Sequence, residues 1–186
     1  MLLLLGQLLS MSLAMERAQA SARLELAAVR LVADTDPLTG LANRRTWDRE
    51  LQEEDALHTR LGDPTAVAVL DLDRLKQIND SAGHAAGDEH LRRAAAAIRA
   101  SVGERDLVAR LGGDEFGVLL RGCEQDAVED TLGRVRARLH GVGVAVSVGW
   151  AVVTASGGLQ AALADADAAM YTVKRSARTR SVPRAR

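Results

Sequence analysis

The run Arg110-Leu111-Gly112-Gly113-Asp114-Glu115-Phe116 constrains the fold more than any other stretch of the chain. It sets two glycines between two apolar segments, Leu107–Leu111 and Phe116–Leu120, so the chain must double back there as a β-hairpin. Two carboxylates then stand at the tip of the turn. Adjacent acids repel each other and are tolerated where they are solvated or hold a cation. A glycine pair also lets a ligand come close to the backbone. The turn therefore points toward metal and phosphate chemistry.

Hydrophobic spacing organises the rest. Arg44–Leu57 reads as a helix with Trp47 and Leu51 inward. Ala66–Leu72 is a nearly continuous apolar run, the pattern of a strand buried on both faces. Gly87–Val102 places Leu91, Ala95, Ile98 and Val102 on one helical face, and Gln125–Leu139 does the same with Val128, Leu132, Val135 and Leu139. Val142–Trp150 is a Val-rich strand, and Leu159–Val173 is a last helix with Leu163, Ala166 and Met170 inward. The middle of the chain thus runs strand, helix, strand, strand, helix, strand. That is the ferredoxin-like, palm-type βαββαβ order of an α+β fold, a central antiparallel sheet flanked by helices.

Composition narrows the function. The 186 residues suit one domain with an appendage, and 47% apolar residues suffice for a core, although aromatics are only 2%. Lysine plus arginine (24) nearly cancels aspartate plus glutamate (25), which argues against a nucleic-acid binder. The single cysteine, Cys123, excludes an intrachain disulfide and a thiolate zinc site. Residues 1–15 are leucine-rich and uncharged, but fall short of the roughly 20 apolar residues a membrane span needs. They also lack the basic start of a signal peptide. Two readings stay open: a membrane contact through residues 1–15, or an apolar helix that packs on a partner. Leu24, Ala28 and Leu31 continue at helical spacing until Asp34-Thr35-Asp36-Pro37 stops the helix. The stretch after Val173 carries Lys174, Arg175, Arg178, Arg180, Arg184 and Arg186 and no acid, as a solvated terminus does.

A second acidic pair closes the first central strand, Leu70-Asp71-Leu72-Asp73. Alternation sends Asp71 and Asp73 to one face. If this strand lies beside the hairpin, its acids approach Asp114 and Glu115. Such a convergence of oxygen ligands calls for magnesium or manganese rather than zinc. The bland alternative is that each aspartate caps a helix or faces water. Downstream lie Lys76, placed to meet phosphate, then Asn79, Gly83-His84 and Gly87-Asp88. Asn79 and Asp88 suit the edge of guanine, whose N1–H and amino group a carboxylate accepts. Their ordinary alternatives are a helix or turn cap for Asn79 and an N-cap for Asp88.

These residues resemble the GGDEF-domain diguanylate cyclases. Five segments match in order: Asp36–Arg45, Asp71–Asp80, Gly83-His84 with Gly87-Asp88, Arg110–Phe116, and Ala166–Lys174. Ser147–Ala151 fits the family's last strand. The resemblance implies residues 34–178 as a GGDEF domain, residues 1–33 as an apolar connecting helix and residues 179–186 as a basic tail. It implies condensation of two GTP into cyclic di-GMP and two pyrophosphates, across a homodimer whose sites face each other. It also implies a cytoplasmic protein, membrane-associated if residues 1–15 touch a bilayer.

By the same resemblance, two magnesium (or manganese) ions per site are held by Asp71, Asp114, Glu115 and the Leu72 carbonyl. Asp114, Glu115 and a supporting Asp73 form the catalytic set. Asn79 and Asp88 read guanine. Lys76, Lys174 and Arg178 neutralise the triphosphate, Leu75 gives a backbone contact, and Gly112 and Gly113 let the turn approach the nucleotide. The chain departs from the family at Leu75, where phenylalanine is usual, and at Ala177 and Thr179 beside Arg178. The family's inhibitory RxxD run is here Gly103-Glu104-Arg105-Asp106, with glycine in place of the arginine, so no such site is expected. A degenerate GGDEF domain that binds GTP or cyclic di-GMP without turnover is the competing reading. A polymerase or class III nucleotide cyclase with a related palm is a third.

Overall fold

The computed structural model describes residues 33–154 and 156–180 with positions 11, 15–17, 19 and 21, and side chains as far as residue 176. The chain divides into two compact units, Met1–Thr35 and Asp36–Arg186. Most of the first, including residues 1–10 with their leucines, and the last six residues of the basic tail lie outside the described residues. No helix among the described residues is long and apolar enough to cross a membrane.

The second unit runs α1 (Arg44–Leu61), β1 (Thr65–Leu72), α2 (Leu75–Ala82), α3 (His84–Arg99), β2 (Leu107–Gly112), β3 (Glu115–Arg121), α4 (Gln125–Gly141), β4 (Val146–Val152) and α5 (Gly158–Arg180). The four strands form one sheet in the order β2-β3-β1-β4, antiparallel at every pairing. This is the expected ferredoxin-like α+β fold. β1 lies inside the sheet and every one of its residues is buried, because helices cover both faces. Ala66, Ala68, Leu70 and Leu72 pack with Phe116, Val118 and Leu120 under α3 and α4. Val67 and Val69 pack with Leu119 against Trp47 of α1 and Leu159, Ala166 and Met170 of α5.

Strand register places the acids relative to the helices. Gly117, Val69 and Gly149 make one row across the sheet on the α1/α5 face, and Glu115, Asp71 and Ser147 make the next row on that face. The glycine row lets the helices come close. A Cβ on Gly117 would lie 2.8 Å from the Trp47 ring, and one on Gly149 would overlap the Ala166 carbonyl oxygen and the Met170 amide nitrogen. α5 therefore rests on the sheet backbone itself, one row from Asp71.

Element boundaries differ from the periodicity in instructive ways. α1 runs to Leu61, where Gly62 takes a left-handed conformation (φ 71°) and its amide donates to the His58 carbonyl. α3 begins at His84, not Gly87, so Asp88 sits inside the helix and does not cap it; Val102 lies beyond its end. The segment from Leu75 is itself a short helix, α2, ended by Gly83. β4 starts at Val146 because α4 persists to Gly141 and a turn through Gly143 follows; Val144 enters the core from that turn.

Candidate active site

Asp71 lies at the end of β1, beneath the last described turns of α5. It is 3% exposed. Its Oδ2 accepts a hydrogen bond from Lys174 Nζ at 2.5 Å, and its Oδ1 has no partner among the described residues. Burial pushes the Asp71 carboxyl above its usual range, and the Asp114 and Asp73 carboxylates push the same way while Lys174 pulls it down. Two residues on, Asp73 Oδ1 accepts from Ser147 Oγ at 3.0 Å and the Asp73 amide donates to the Ala145 carbonyl at 2.9 Å.

The hairpin tip is tied to the same strand end: the Leu72 amide donates to the Asp114 carbonyl at 3.0 Å. The turn needs its glycines, since Gly112 and Gly113 both have positive φ (151° and 51°). Arg110 clamps it from the other side, donating from Nη2 and Nε to the Gly113 carbonyl at 2.8 and 3.1 Å. Arg110 also pairs with Asp36 at 3.3 Å, and Asp36 accepts from the Thr39 amide and hydroxyl. Asp36, ahead of Pro37 and held by Thr39, thus steadies the signature turn through Arg110.

Between these parts opens a cleft of about 490 Å³ whose lining includes Asp71, Asp73, Asp114, Arg74, Lys76 and Lys174. Acids and cations of similar number meet there, the arrangement expected for a polyanion carried with a divalent cation. Arg74, between strand and α2, takes a left-handed backbone (φ 69°) that is uncommon for a side chain of its size. Leu75 belongs to the buried core and also borders the cleft. Glu115, opposite Asp71 in the register, is exposed and borders a second depression of about 300 Å³ with Arg44, Trp47 and Asp167.

Asn79 and Asp88 do not line the cleft; they lie on the α2–α3 pair beside it. Asn79 Oδ1 is buried without a partner among the described residues, and a Cβ on Gly87 would overlap it. Neither residue is an N-cap, since each is the fifth residue of its helix. Arg178 belongs to α5, but its side chain lies outside the described residues. Among the described residues no three His, Cys, Asp or Glu side chains converge closely enough to hold a metal unaided.

Arg110, Asp36 and Ser147 stand inside recognisable motifs, yet nothing in their spacing gives them a role. The structure makes Arg110 and Asp36 the support of the turn and Ser147 the hydroxyl that orients Asp73. Burial would raise the Asp36 carboxyl, but hydrogen bonds from Thr39 and the Arg110 guanidinium outweigh it and hold the group below the ordinary 3.8. A lowered carboxylate stabilises the fold fully above its unfolded value, and that contribution is lost as pH falls through the folded value. Urea midpoints from pH 7 to pH 3 should therefore drop more steeply for the wild type than for Asp36→Asn below about pH 4. Parallel curves would show that this pair adds nothing to acid sensitivity.

A four-stranded antiparallel ferredoxin-like sheet with a cleft of acids and basic side chains at the β1 end is a palm-type architecture. The family profile described as "Diguanylate cyclase, GGDEF domain" matches residues 33–180. The chain is 40% identical to diguanylate cyclase DgcP of Pseudomonas aeruginosa over 155 residues, 78% of this chain and 23% of that protein. It is 38% identical to diguanylate cyclase TpbB of the same species over 177 residues, 88% of this chain and 40% of that one. Among solved structures, the coiled coil and GGDEF domain of DgcB from Caulobacter crescentus, in complex with c-di-GMP, superposes with a TM-score of 0.81. The identity is 32%, with 90% of this chain and 95% of that one covered. Diguanylate cyclase SiaD of P. aeruginosa, in complex with its activator SiaC, gives a TM-score of 0.76 at 34% identity, covering 92% of this chain and 70% of that one. The chain belongs to the GGDEF diguanylate cyclase family. It spans less than half the length of the two curated relatives named here.

Proposed function

We propose that this chain is an active diguanylate cyclase. One observation carries the reading: a buried carboxylate, Asp71, with one oxygen on Lys174 and the other unpartnered among the described residues, sits at the cleft that Asp114 also lines. Degenerate domains have no need to keep an acid so unfavourably placed beside two others.

The residues fit a metal-assisted site although no three-carboxylate cage is present among the described residues. Magnesium is bound through one or two carboxylates and takes its remaining ligands from water and substrate phosphates. Asp71 and Asp114, with the Leu72 carbonyl and Glu115, are the proposed ligands of two magnesium or manganese ions. When bound, these would polarise the α-phosphate and favour ionisation of the attacking ribose hydroxyl.

The remaining work falls to the side chains. Lys76 and Lys174 offset the triphosphate charge, with Arg178 further along α5. Asn79 and Asp88 hold the guanine edge, and Asp73, oriented by Ser147, supports the acidic set. The Gly112-Gly113 turn admits the nucleotide close to the backbone. Each chain holds one GTP and two chains face each other. In each half-reaction a 3′-oxygen–phosphorus bond forms to the partner's nucleotide, the α–β phosphoanhydride breaks and pyrophosphate leaves. Two such events close cyclic di-GMP.

Incubation of the purified protein with GTP and magnesium tests this. Cyclic di-GMP with two equivalents of pyrophosphate is expected; GTP binding without turnover would favour a domain that signals through partners. A Gly87→Ala change should displace the Asn79 amide and weaken GTP binding about tenfold, the scale of a lost polar contact. Unchanged affinity by calorimetry would separate Asn79 from nucleotide recognition.

The run Gly103–Asp106 is occupied in its own loop. Asp106 accepts from the Gly103 amide through Oδ2 (2.8 Å) and from the Arg121 amide through Oδ1 (3.1 Å), so both oxygens serve the backbone. Gly103 contributes no side chain. Calorimetry with cyclic di-GMP should show no tight site that is lost on Asp106→Ala; finding one would overturn this expectation.

A further inference from the structure

The ion pair between Lys174 and Asp71 does more than fill space. Asp71 Oδ2 is the end of a buried carboxylate flanked by two further acids, and Lys174 Nζ is the cation hydrogen-bonded to it, at 2.5 Å. The Lys174 side chain is 24% exposed and that of Asp71 4%, so the pair sits at the wall of the cleft with its lysine end toward solvent. A buried carboxylate stripped of its cation is strongly disfavoured. An ammonium and a divalent cation held on the two oxygens of one carboxylate repel each other at close range, so each weakens the other's hold.

The lysine has somewhere else to go. Met170, one helical turn earlier, anchors α5 in the core at 5% exposure. Lys174 already lines the cleft, and its flexible four-carbon stem can turn the ammonium within it without moving the helix. A triphosphate in that cleft would supply both an anion for Lys174 and the oxygens that complete a metal's coordination. We infer that Lys174 neutralises Asp71 until a nucleotide arrives, and that its transfer from Asp71 to the triphosphate couples metal binding to nucleotide binding. This rests on the metal-assisted reading above. By linkage the coupling is reciprocal: nucleotide tightens metal by the factor that metal tightens nucleotide.

The test uses manganese as probe, with free Mn²⁺ followed by electron paramagnetic resonance at pH 8. Wild type, Lys174→Met and Lys174→Arg are compared with and without a non-hydrolysable α,β-methylene analogue of GTP. Wild type should bind Mn²⁺ weakly alone and at least about fivefold more tightly with the analogue. Lys174→Met should bind Mn²⁺ in the absence of nucleotide more tightly than wild type by a similar factor, with the coupling falling toward one. Lys174→Arg keeps the charge and should keep metal binding weak. If Lys174→Met, folded by its melting curve, binds Mn²⁺ alone no better than wild type while the analogue still recruits the ion, the inference fails and the cyclase reading stands. If Lys174→Met does not fold, Lys174→Gln takes its place under the same criterion. Failure of wild type to bind Mn²⁺ even with the analogue would overturn both.

Discussion

An Asp114→Ala variant should form no measurable cyclic di-GMP, a fall in kcat of at least about a thousandfold, while folding normally. The two halves of that expectation have separate physical grounds. On the proposed reading the chemistry depends on the carboxylate, which lines the cleft and bears electrostatically on Asp71. The fold depends on the backbone: the Leu72 amide bonds to the Asp114 carbonyl, which alanine retains. The side chain is only half-buried in a turn, so its removal should change stability by less than about 1 kcal/mol. Removing a like charge beside Asp71 even relieves a repulsion. A product assay beside a thermal melt resolves the two. Wild-type turnover from the variant would remove Asp114 from the mechanism, and a large loss of stability would show that the carboxylate also holds the turn.

Gly149→Ala should have the largest structural effect, a loss of about 3 kcal/mol or more. Its new methyl group would meet the Ala166 carbonyl, the Met170 amide and, at 2.8 Å, the Met170 Cα. These are backbone atoms of α5, and no rotamer change can make room. Either the helix lifts from the sheet, opening the layer of Leu159, Ala162, Ala166 and Met170, or β4 shifts away from β1. Lifting α5 also carries Lys174 away from Asp71. The variant should therefore show a lowered urea midpoint together with impaired nucleotide binding. A stability within about 1 kcal/mol of wild type would mean that α5 does not press on the β4 backbone, since a contact of this kind cannot be relieved cheaply.

Much of the fold can be read along the chain because helices and strands announce themselves within a few residues. Trp47 and Leu51, and the series Val128, Leu132, Val135 and Leu139, are all buried where helical spacing places them. α2 escapes the periodicity because it is two turns long and buries only Leu75. The apolar pattern starts β4 at Val142, ahead of its true start at Val146. Val142 and Val144 are apolar, yet they follow a helix end and a glycine turn, where Val144 packs from a loop. Apolar spacing reports which side chains are inside, and says less about where backbone hydrogen bonding begins. The same holds for α5, whose periodic face fades before Lys174 although the helix continues.

The acids of the site are legible because each pair lies in one short segment: Asp71 with Asp73 at a strand end, Asp114 with Glu115 at a glycine turn. Their supports are not. Arg110 and Asp36 are 74 residues apart, as are Ser147 and Asp73, and Lys174 is 103 residues from Asp71. Nor does spacing reveal that the row Gly117–Val69–Gly149 is what brings α5 down onto the sheet. By itself the sequence determined the element types, the buried faces and the chemical identity of the acids, because those depend on neighbours along the chain. Only the tertiary structure decided which cation meets Asp71 and what steadies the signature turn, because strand order and register bring distant residues into contact.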